Sequence, residues 1–133
     1  MQLFAIKRLL LIMCLLLAAV ANITAKSAVE LSYIHIRPQF LTNLQGSTKH
    51  LYVEVSLLIP KDPKTEEIIN NNMPLIRSAL VDLFSEQTLE KLSKKHGVNG
   101  LQSEALKTIT RVLTENAERV DIKRVLFTKF NYN

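Results

Sequence analysis

An uncharged, strongly apolar stretch near the N-terminus divides this chain into two parts. Residues 9–25 (LLLIMCLLLAAVANITA) contain no charged side chain, and Lys7 and Arg8 precede them. A positive flank before an apolar run is typical of both signal peptides and membrane-anchoring helices. The run is near the lower limit of the ~17–25 residues that span a bilayer. We therefore predict that residues 1–25 are a signal peptide or a membrane anchor. In either case residues 26–133 form a domain that is exported to the far side of the membrane.

The sequence of residues 1–25, called here the leader, is compatible both with cleavage as a signal peptide and with retention as a membrane anchor. Its most apolar part, residues 9–17, has the length of a signal-peptide core, which favours cleavage. The small residues of 19–21 (Ala-Val-Ala) supply a cleavage pattern, and residues 23–25 (Ile-Thr-Ala) supply a weaker one. The chain's single cysteine, Cys14, lies in this leader, so the predicted domain has no means of forming an internal disulfide.

Alternating polarity predicts strands at both ends of the domain. Residues 49–59 give the clearest pattern, with Leu51, Val53, Val55, Leu57 and Ile59 on one face. Residues 119–132 read as a closing strand that pairs with it, with an inner face formed by Val120, Ile122, Leu126, Phe130 and Tyr132. Residues 27–40 read as extended, and Pro38 restricts them to a sheet edge or ends the strand there. Residues 41–48 are predicted to be a turn.

Three helices are predicted between the second and third strands. Asp62 is the expected cap of the first, with Pro63 in its first turn. Pro74 is expected to kink or interrupt this helix, since proline removes a helical hydrogen bond. An apolar stripe then continues to Phe84.

The remaining helices are predicted from residues around a glycine. Residues 86–96 form a short helix, and Gly97 is predicted to end it as a left-handed cap. Asn99 is expected to start the last helix, because Gln102 stands at capping-box spacing from it. The resulting order of elements predicts an α+β fold, a small antiparallel sheet with helices covering one side.

Nothing in the sequence predicts an enzyme or a cofactor site. The histidines His35, His50 and His96 have no second ligand at metal-binding spacing, so no catalytic, cofactor-binding or metal residues are assigned. The formal net charge of +5, two charges of which lie in the leader, is too small and dispersed for nucleic-acid binding. Three glycines and no tryptophan speak against a phosphate loop or a stacking platform.

One basic face is a candidate contact surface. Lys91, Lys94, Lys95 and His96 stand together at the end of the short helix. They could contact anionic lipid or an acidic partner. A solvated helix end, whose cations match the helix dipole, is the favoured interpretation.

Several segments of the domain, in order and at matching spacing, resemble those of one known protein family. The resemblance starts at residues 33–40 (YIHIRPQF) and continues through the strand at residues 51–57 (LYVEVSL) and residues 73–80 (MPLIRSAL). Gly97, with Leu101 and Glu104 after it, resembles the family's approach to its last helix. The closing residues 122–130 (IKRVLFTKF) are the most specific match. Together the segments cover residues 31–132 and resemble the periplasmic domain of the FliL family of flagellar basal-body-associated proteins, as in a short, divergent member.

The resemblance implies a fold, a location and partners. The domain would be stomatin-like (SPFH-like) and periplasmic, and residues 9–25, if not cleaved, would hold it to the inner membrane in a single pass. The function implied is support of the flagellar stator and motor torque, and hence of swimming, swarming and chemotaxis, through contacts with stator and basal-body proteins and through a homo-oligomeric ring. Arg77 and the residues 91–96 are candidate contact residues. No cofactor and no nucleic acid are expected.

Two other functions are alternatives to this one. The first is a periplasmic scaffold of stomatin-like fold with no flagellar role. The second is a small secreted enzyme, against which the missing catalytic constellation speaks.

Overall fold

The computed structural model describes residues 2–18 and 28–133 of the chain. Helix α1 spans Gln2–Ala18, which are 17 of the 25 residues of the predicted leader. No helix among these residues combines the length and apolar character needed to cross a membrane. The two predicted cleavage patterns, at residues 19–21 and 23–25, lie outside the described residues.

A three-stranded antiparallel sheet forms the centre of the domain. Strand β1 spans Leu31–Asn43, β2 spans His50–Pro60 and β3 spans Arg124–Tyr132. Their order in the sheet is β1-β2-β3, so β2 lies between two edge strands. This confirms the predicted pairing of the last strand with the second. The predicted turn starts later than expected, since β1 continues to Asn43 and the chain reverses around Gly46, which has a φ of 69°.

Four helices connect β2 to β3. They are α2 (Pro63–Asn71), α3 (Met73–Ser85), α4 (Leu89–Ser93) and α5 (Gly97–Asn116). Asp62 caps α2, as predicted, by accepting from the amides of Lys64 and Thr65. The interruption predicted at Pro74 is present as the break between α2 and α3 at Asn72.

The predicted role of Gly97 as a left-handed cap is wrong. Gly97 is the first residue of α5, and Gly46 is the glycine with positive φ in the described part of the chain. A Cβ atom at Gly97 would lie 2.4 Å from the carbonyl oxygen of Lys91 and 2.6 Å from that of Leu92. The glycine is therefore required by the close approach of two backbones.

The predicted start of the last helix at Asn99 is also wrong. Helix α5 begins two residues earlier, with His96 in the capping position and no side-chain hydrogen bond there. The capping-box spacing of Asn99 and Gln102 falls inside the helix, where the side chain has no free amide to cap.

The hydrophobic core lies between one face of the sheet and the helices. Strand β2 contributes the five alternating residues predicted from its sequence, all of them nearly or fully buried. Ile36 and Phe40 join them from β1, and helices α3 and α5 pack across them. The α+β class and the one-sided cover of helices are thus as the sequence predicts.

The predicted inner face of the closing strand is wrong at Leu126, although Val120 and Ile122 are buried as predicted, and the strand itself begins only at Arg124. Val125 is buried and Phe127 packs against the core, whereas Leu126 pairs with Ser56 on the other face of the sheet. The cause is a bulge: Lys129 pairs with Glu54 and Phe127 pairs with Val55, so Thr128 has no partner on β2. One extra residue shifts the alternation, and Phe130 and Tyr132 therefore share the core side with Phe127.

Pro38 lies within β1 and does not end it. The ladder shifts register between Ile36 and Phe40, because residues 37–39 stand opposite Glu54 alone. β1 is an edge strand, so the missing amide of Pro38 breaks no bond to a neighbouring strand. Pro38 follows Arg37 through a cis peptide bond.

Candidate interaction surfaces

The face of the sheet opposite the helices is open and partly apolar. Tyr33 and Leu41 of β1 are 58% and 67% exposed on it, and Leu31 at the start of β1 is 46% exposed. Tyr33 pairs with Leu58 of β2, and Leu41 pairs with Tyr52. The buried side chains of the four helices belong to the core on the other side. This open face is a candidate surface for contact with another protein.

Glu54 lies at the centre of the open face, where both neighbouring strands bulge. Residues 37–39 bulge on one side of it, and Thr128 bulges on the other and directs its hydroxyl 3.4 Å from the Glu54 carbonyl oxygen. A cavity of about 90 Å³ results, lined by His35, Arg37 and Glu54 among others. A bulge changes the direction of the side chains next to it and interrupts regular strand pairing. The sheet is therefore irregular on both sides of Glu54.

Polar side chains around Glu54 are tied to one another. The hydroxyl of Tyr52 donates to Oε1 of Glu54 at 2.8 Å, and this hydrogen bond raises the pKa of Tyr52 above its usual value. Nδ1 of His35 lies 2.7 Å from the hydroxyl of Ser56. The ammonium of Lys129 lies 5.1 Å from the centre of the Tyr52 ring. Nothing in the sequence marks Glu54, since bulges in the two neighbouring strands do not change the alternation of β2 itself.

Arg77, one of the candidate contact residues, lies against its own domain. Its guanidinium donates to the carbonyl oxygen of Pro38 and lies 4.5 Å from the centre of the Phe40 ring. The side chain thereby connects α3 to the irregular part of β1. Its role in this structure is to hold the domain together, and its half-buried side chain leaves little of the charge for a partner.

The basic face at residues 91–96 is partly neutralised. Lys91 forms an ion pair with Glu104 at 3.0 Å, and Lys94 forms a longer one with Glu90 at 3.8 Å. Lys95 and His96 form none with the residues that the structure describes. The four side chains do lie around one shallow depression. Two ion pairs within the face agree with the interpretation of a solvated helix end.

The three histidines lie apart from one another in the fold. His35 is on the open sheet face, His50 starts β2, and His96 precedes α5. Within residues 2–18 and 28–133, no group of three or more histidine, cysteine or acidic side chains could hold a metal ion.

The motif residues behind the family resemblance occupy structurally demanding positions. Phe40 is buried against Phe84 with their ring centres 5.1 Å apart, and Phe84 contacts Phe127 at 5.8 Å. Phe127 in turn stacks on Phe130 at 5.7 Å. Phe40 of the opening motif and Phe127 and Phe130 of the closing motif are therefore linked through Phe84 in one row of contacting aromatic rings.

Comparison with known proteins agrees with this pattern. Residues 33–132 match the family described as "Flagellar basal body-associated protein FliL". The chain is similar to the flagellar protein FliL of Escherichia coli (strain K12), at 31% identity over 91 residues, which are 68% of this chain and 58% of that protein.

Two further relatives are more distant. The flagellar protein LafL of Vibrio parahaemolyticus serotype O3:K6 is 27% identical over 97 residues, 72% of this chain and 58% of the relative. The FliL protein of Aquifex aeolicus is 26% identical over 94 residues, 70% and 56% respectively. The match thus spans somewhat more than half the length of these relatives. Because the family match covers residues 33–132, the chain belongs to the FliL family of flagellar basal body-associated proteins.

Proposed function

We propose that this chain is a non-enzymatic component of the flagellar basal body that supports the stator units and motor torque. The observation that carries the proposal is the family match over residues 33–132, which includes nearly the whole folded domain. The relatives are named as flagellar proteins, and the same role is proposed here for swimming, swarming and chemotactic motility. The route is contact between surfaces, since no catalytic residues have been assigned.

The proposed location follows from the leader. Residues 26–133 would lie in the periplasm, and residues 9–25 would either hold the chain to the inner membrane in a single pass or be removed as part of a signal peptide. The open sheet face, with Tyr33 and Leu41 exposed, is the surface through which copies of the domain could assemble into a homo-oligomeric ring around a stator. A stomatin-like fold for the domain remains a prediction from the family resemblance.

Deletion of the gene in its host tests the flagellar role. We expect slower swimming and reduced swarming, together with faster loss of fluorescently labelled stator units from motors under load. The wild-type gene supplied in trans should restore both. Unchanged speed and unchanged stator retention would refute the flagellar role and favour a periplasmic scaffold with another purpose.

Two measurements test the location and assembly separately. The N-terminal sequence of the mature protein, taken from membrane and soluble fractions, distinguishes an anchored chain from one that starts at Asn22 or Lys26 after cleavage. Light scattering of the purified full chain in mild detergent tests the ring. A strictly monomeric species at all concentrations would contradict assembly without affecting the flagellar role.

A further inference from the structure

A groove runs between helix α5 and residues 119–125, the last two of which begin β3. One section has a volume of about 480 Å³ and lies between Leu106 and Thr110 of α5 and residues 119–122. A second, of about 240 Å³, lies between residues 99–106 of α5 and the first two residues of β3. Leu106 lines both sections, and the two neighbouring sections together are called here the α5–β3 groove. Its volume is in the range of known binding pockets, roughly 300–1,000 Å³.

The second section of the groove borders the start of a free strand edge. β3 has one neighbour, β2, in the sheet of the described domain, so its outer edge has no strand partner there. An unpaired edge offers a row of backbone donors and acceptors to an extended peptide. Between residues 119 and 122 the chain alternates exposed and buried positions, with Val120 and Ile122 at 8% and 9% exposure. The groove therefore combines a polar rim with an apolar floor.

The charge of the groove is positive. Arg119 and Arg124 line its two sections and form no ion pair with any residue that the structure describes. The one acid in the lining, Asp121, is paired with Lys123. Two unpaired guanidinium groups beside a strand edge fit carboxylates that project from an added strand, because arginine binds carboxylates in a planar, two-point geometry.

A second copy of this chain is a poor match for the groove. The other free edge in the described domain belongs to β1, whose exposed side chains include His35 and Arg37. Glu30, just before β1, is already paired with Lys61 at 3.0 Å. The bulge at residues 37–39 and the missing amide of Pro38 also break the regular edge. Edge pairing between copies would thus bring the guanidinium of Arg37 towards the two arginines of the groove.

We propose that the α5–β3 groove binds an extended, acidic segment of another protein, which adds as a strand to the free edge of β3 and places carboxylates on Arg119 and Arg124. Main-chain hydrogen bonds along the edge supply affinity, and the two arginines select acidic side chains. The inference rests on the groove alone and does not require the flagellar role.

Peptide binding to the purified full chain tests the proposal. The probe is a fluorescein-labelled peptide of about six residues that alternates valine with glutamate, a length typical of a strand. The matched probe has lysine in place of glutamate. We expect anisotropy to show binding of the acidic peptide only, weakened by added salt. Arg119→Glu with Arg124→Glu should weaken it by about tenfold or more, since each exposed charge pair contributes modestly.

Two variants keep the test specific. Ser103→Trp fills the second section of the groove without changing its charge, and it should also weaken binding. Lys49→Glu with Lys61→Glu makes the same change in net charge at exposed sites that do not line the groove, and it should leave binding unchanged. Circular dichroism and thermal unfolding establish that each variant is folded.

Several results would overturn the proposal. Equal binding of the acidic and basic peptides would remove the charge selectivity, and no binding of the acidic peptide would remove the site. An affinity insensitive to both the arginine reversal and Ser103→Trp would place the peptide elsewhere. Self-association of the full chain that the arginine reversal abolishes would assign the groove to a second copy.

Discussion

The guanidinium of Arg77 lies 4.5 Å from the centre of the Phe40 ring and also donates a hydrogen bond to the carbonyl oxygen of Pro38. One side chain of α3 therefore covers a core aromatic residue and satisfies a carbonyl where the ladder of β1 is irregular. Pro38 follows a break in regular pairing with β2, so its carbonyl lacks the usual strand environment. Arg77 stabilises the junction of sheet and helix.

Replacing Arg77 should destabilise the fold. Arg77→Ala removes a cation–π contact and a charge-assisted hydrogen bond, and we expect the free energy of unfolding to fall by about 1–2 kcal/mol. Arg77→Lys keeps the charge and loses the planar stacking, so it should recover only part of the loss. Urea unfolding followed by circular dichroism measures both.

Arg111 provides a matched control for the loss of an exposed arginine. It forms an exposed pair with Glu115 one helical turn away, at 3.3 Å. Arg111→Ala should therefore cost only about 0.3–0.5 kcal/mol. If the two alanine variants lose equal stability, the assigned role of Arg77 is wrong.

Gly97 and Gly100, three residues apart in α5, should respond to alanine in opposite directions. At Gly97 an added Cβ would collide with two carbonyl groups of α4, and backbone atoms cannot move aside cheaply. We expect Gly97→Ala to cost about 2–3 kcal/mol, comparable to strong overpacking. Thermal and urea unfolding of the full chain measure the change.

Gly100 faces open space, since a Cβ atom there meets nothing within 4 Å. Because alanine is the better helix former, Gly100→Ala should raise the free energy of unfolding by roughly 0.5–1 kcal/mol. A stabilising effect of alanine at both positions would show that α4 and α5 do not approach as closely as described.

The sequence predicted the features that depend on local chemistry. The buried face of β2, the cap at Asp62 and the break before Pro74 each follow from residues close together in the chain, and each is present. The prediction for Gly97 is wrong because glycine is favoured both in left-handed turns and where two backbone segments come close together. Only the tertiary structure distinguishes these two cases. The start of α5 was missed for the same reason, since its first turn packs beside α4.

The inner face of β3 and the surroundings of Glu54 could not be predicted for another reason. A single unpaired residue, Thr128, reverses the alternation of every residue on one side of it, and nothing about a threonine marks it as a bulge. The α5–β3 groove was likewise invisible, because Arg119 and Arg124 acquire their common surface only when β3 lies beside α5. These features depend on contacts between residues that are far apart in the chain, and such contacts cannot be predicted from local patterns in a single sequence.

The bulge at Thr128 makes a testable assignment of side chains. Phe127 contacts Phe84 and stacks on Phe130, whereas Leu126 lies on the open sheet face opposite Ser56. Phe127→Ala should therefore cost roughly 2–4 kcal/mol, as for a large half-buried aromatic residue. Leu126→Ala should cost about 1 kcal/mol or less. The reverse ranking in urea unfolding would support the regular alternation and refute the bulge.

The cap of α2 should make stability depend on pH. The carboxylate of Asp62 accepts from the hydroxyl of Thr65 at 2.8 Å and from the amides of Thr65 and Lys64 at 3.2 and 3.4 Å. The bond from the Thr65 hydroxyl is the main cause that lowers the pKa of Asp62 below its ordinary value of 3.8. A carboxyl with a lowered folded-state pKa stabilises the fold above the unfolded value, and the contribution is lost as the pH falls through the folded value.

Asp62→Ala should therefore lower the urea midpoint at neutral pH, and its difference from the wild type should shrink as the pH falls to about 3 and below. Asp62→Asn is the matched control, because asparagine caps helices without a carboxyl that titrates. It should retain most of the stability at neutral pH and lack the pH-dependent part. A deficit of Asp62→Ala that stays constant across this range would mean that the ionised carboxylate contributes nothing to the cap.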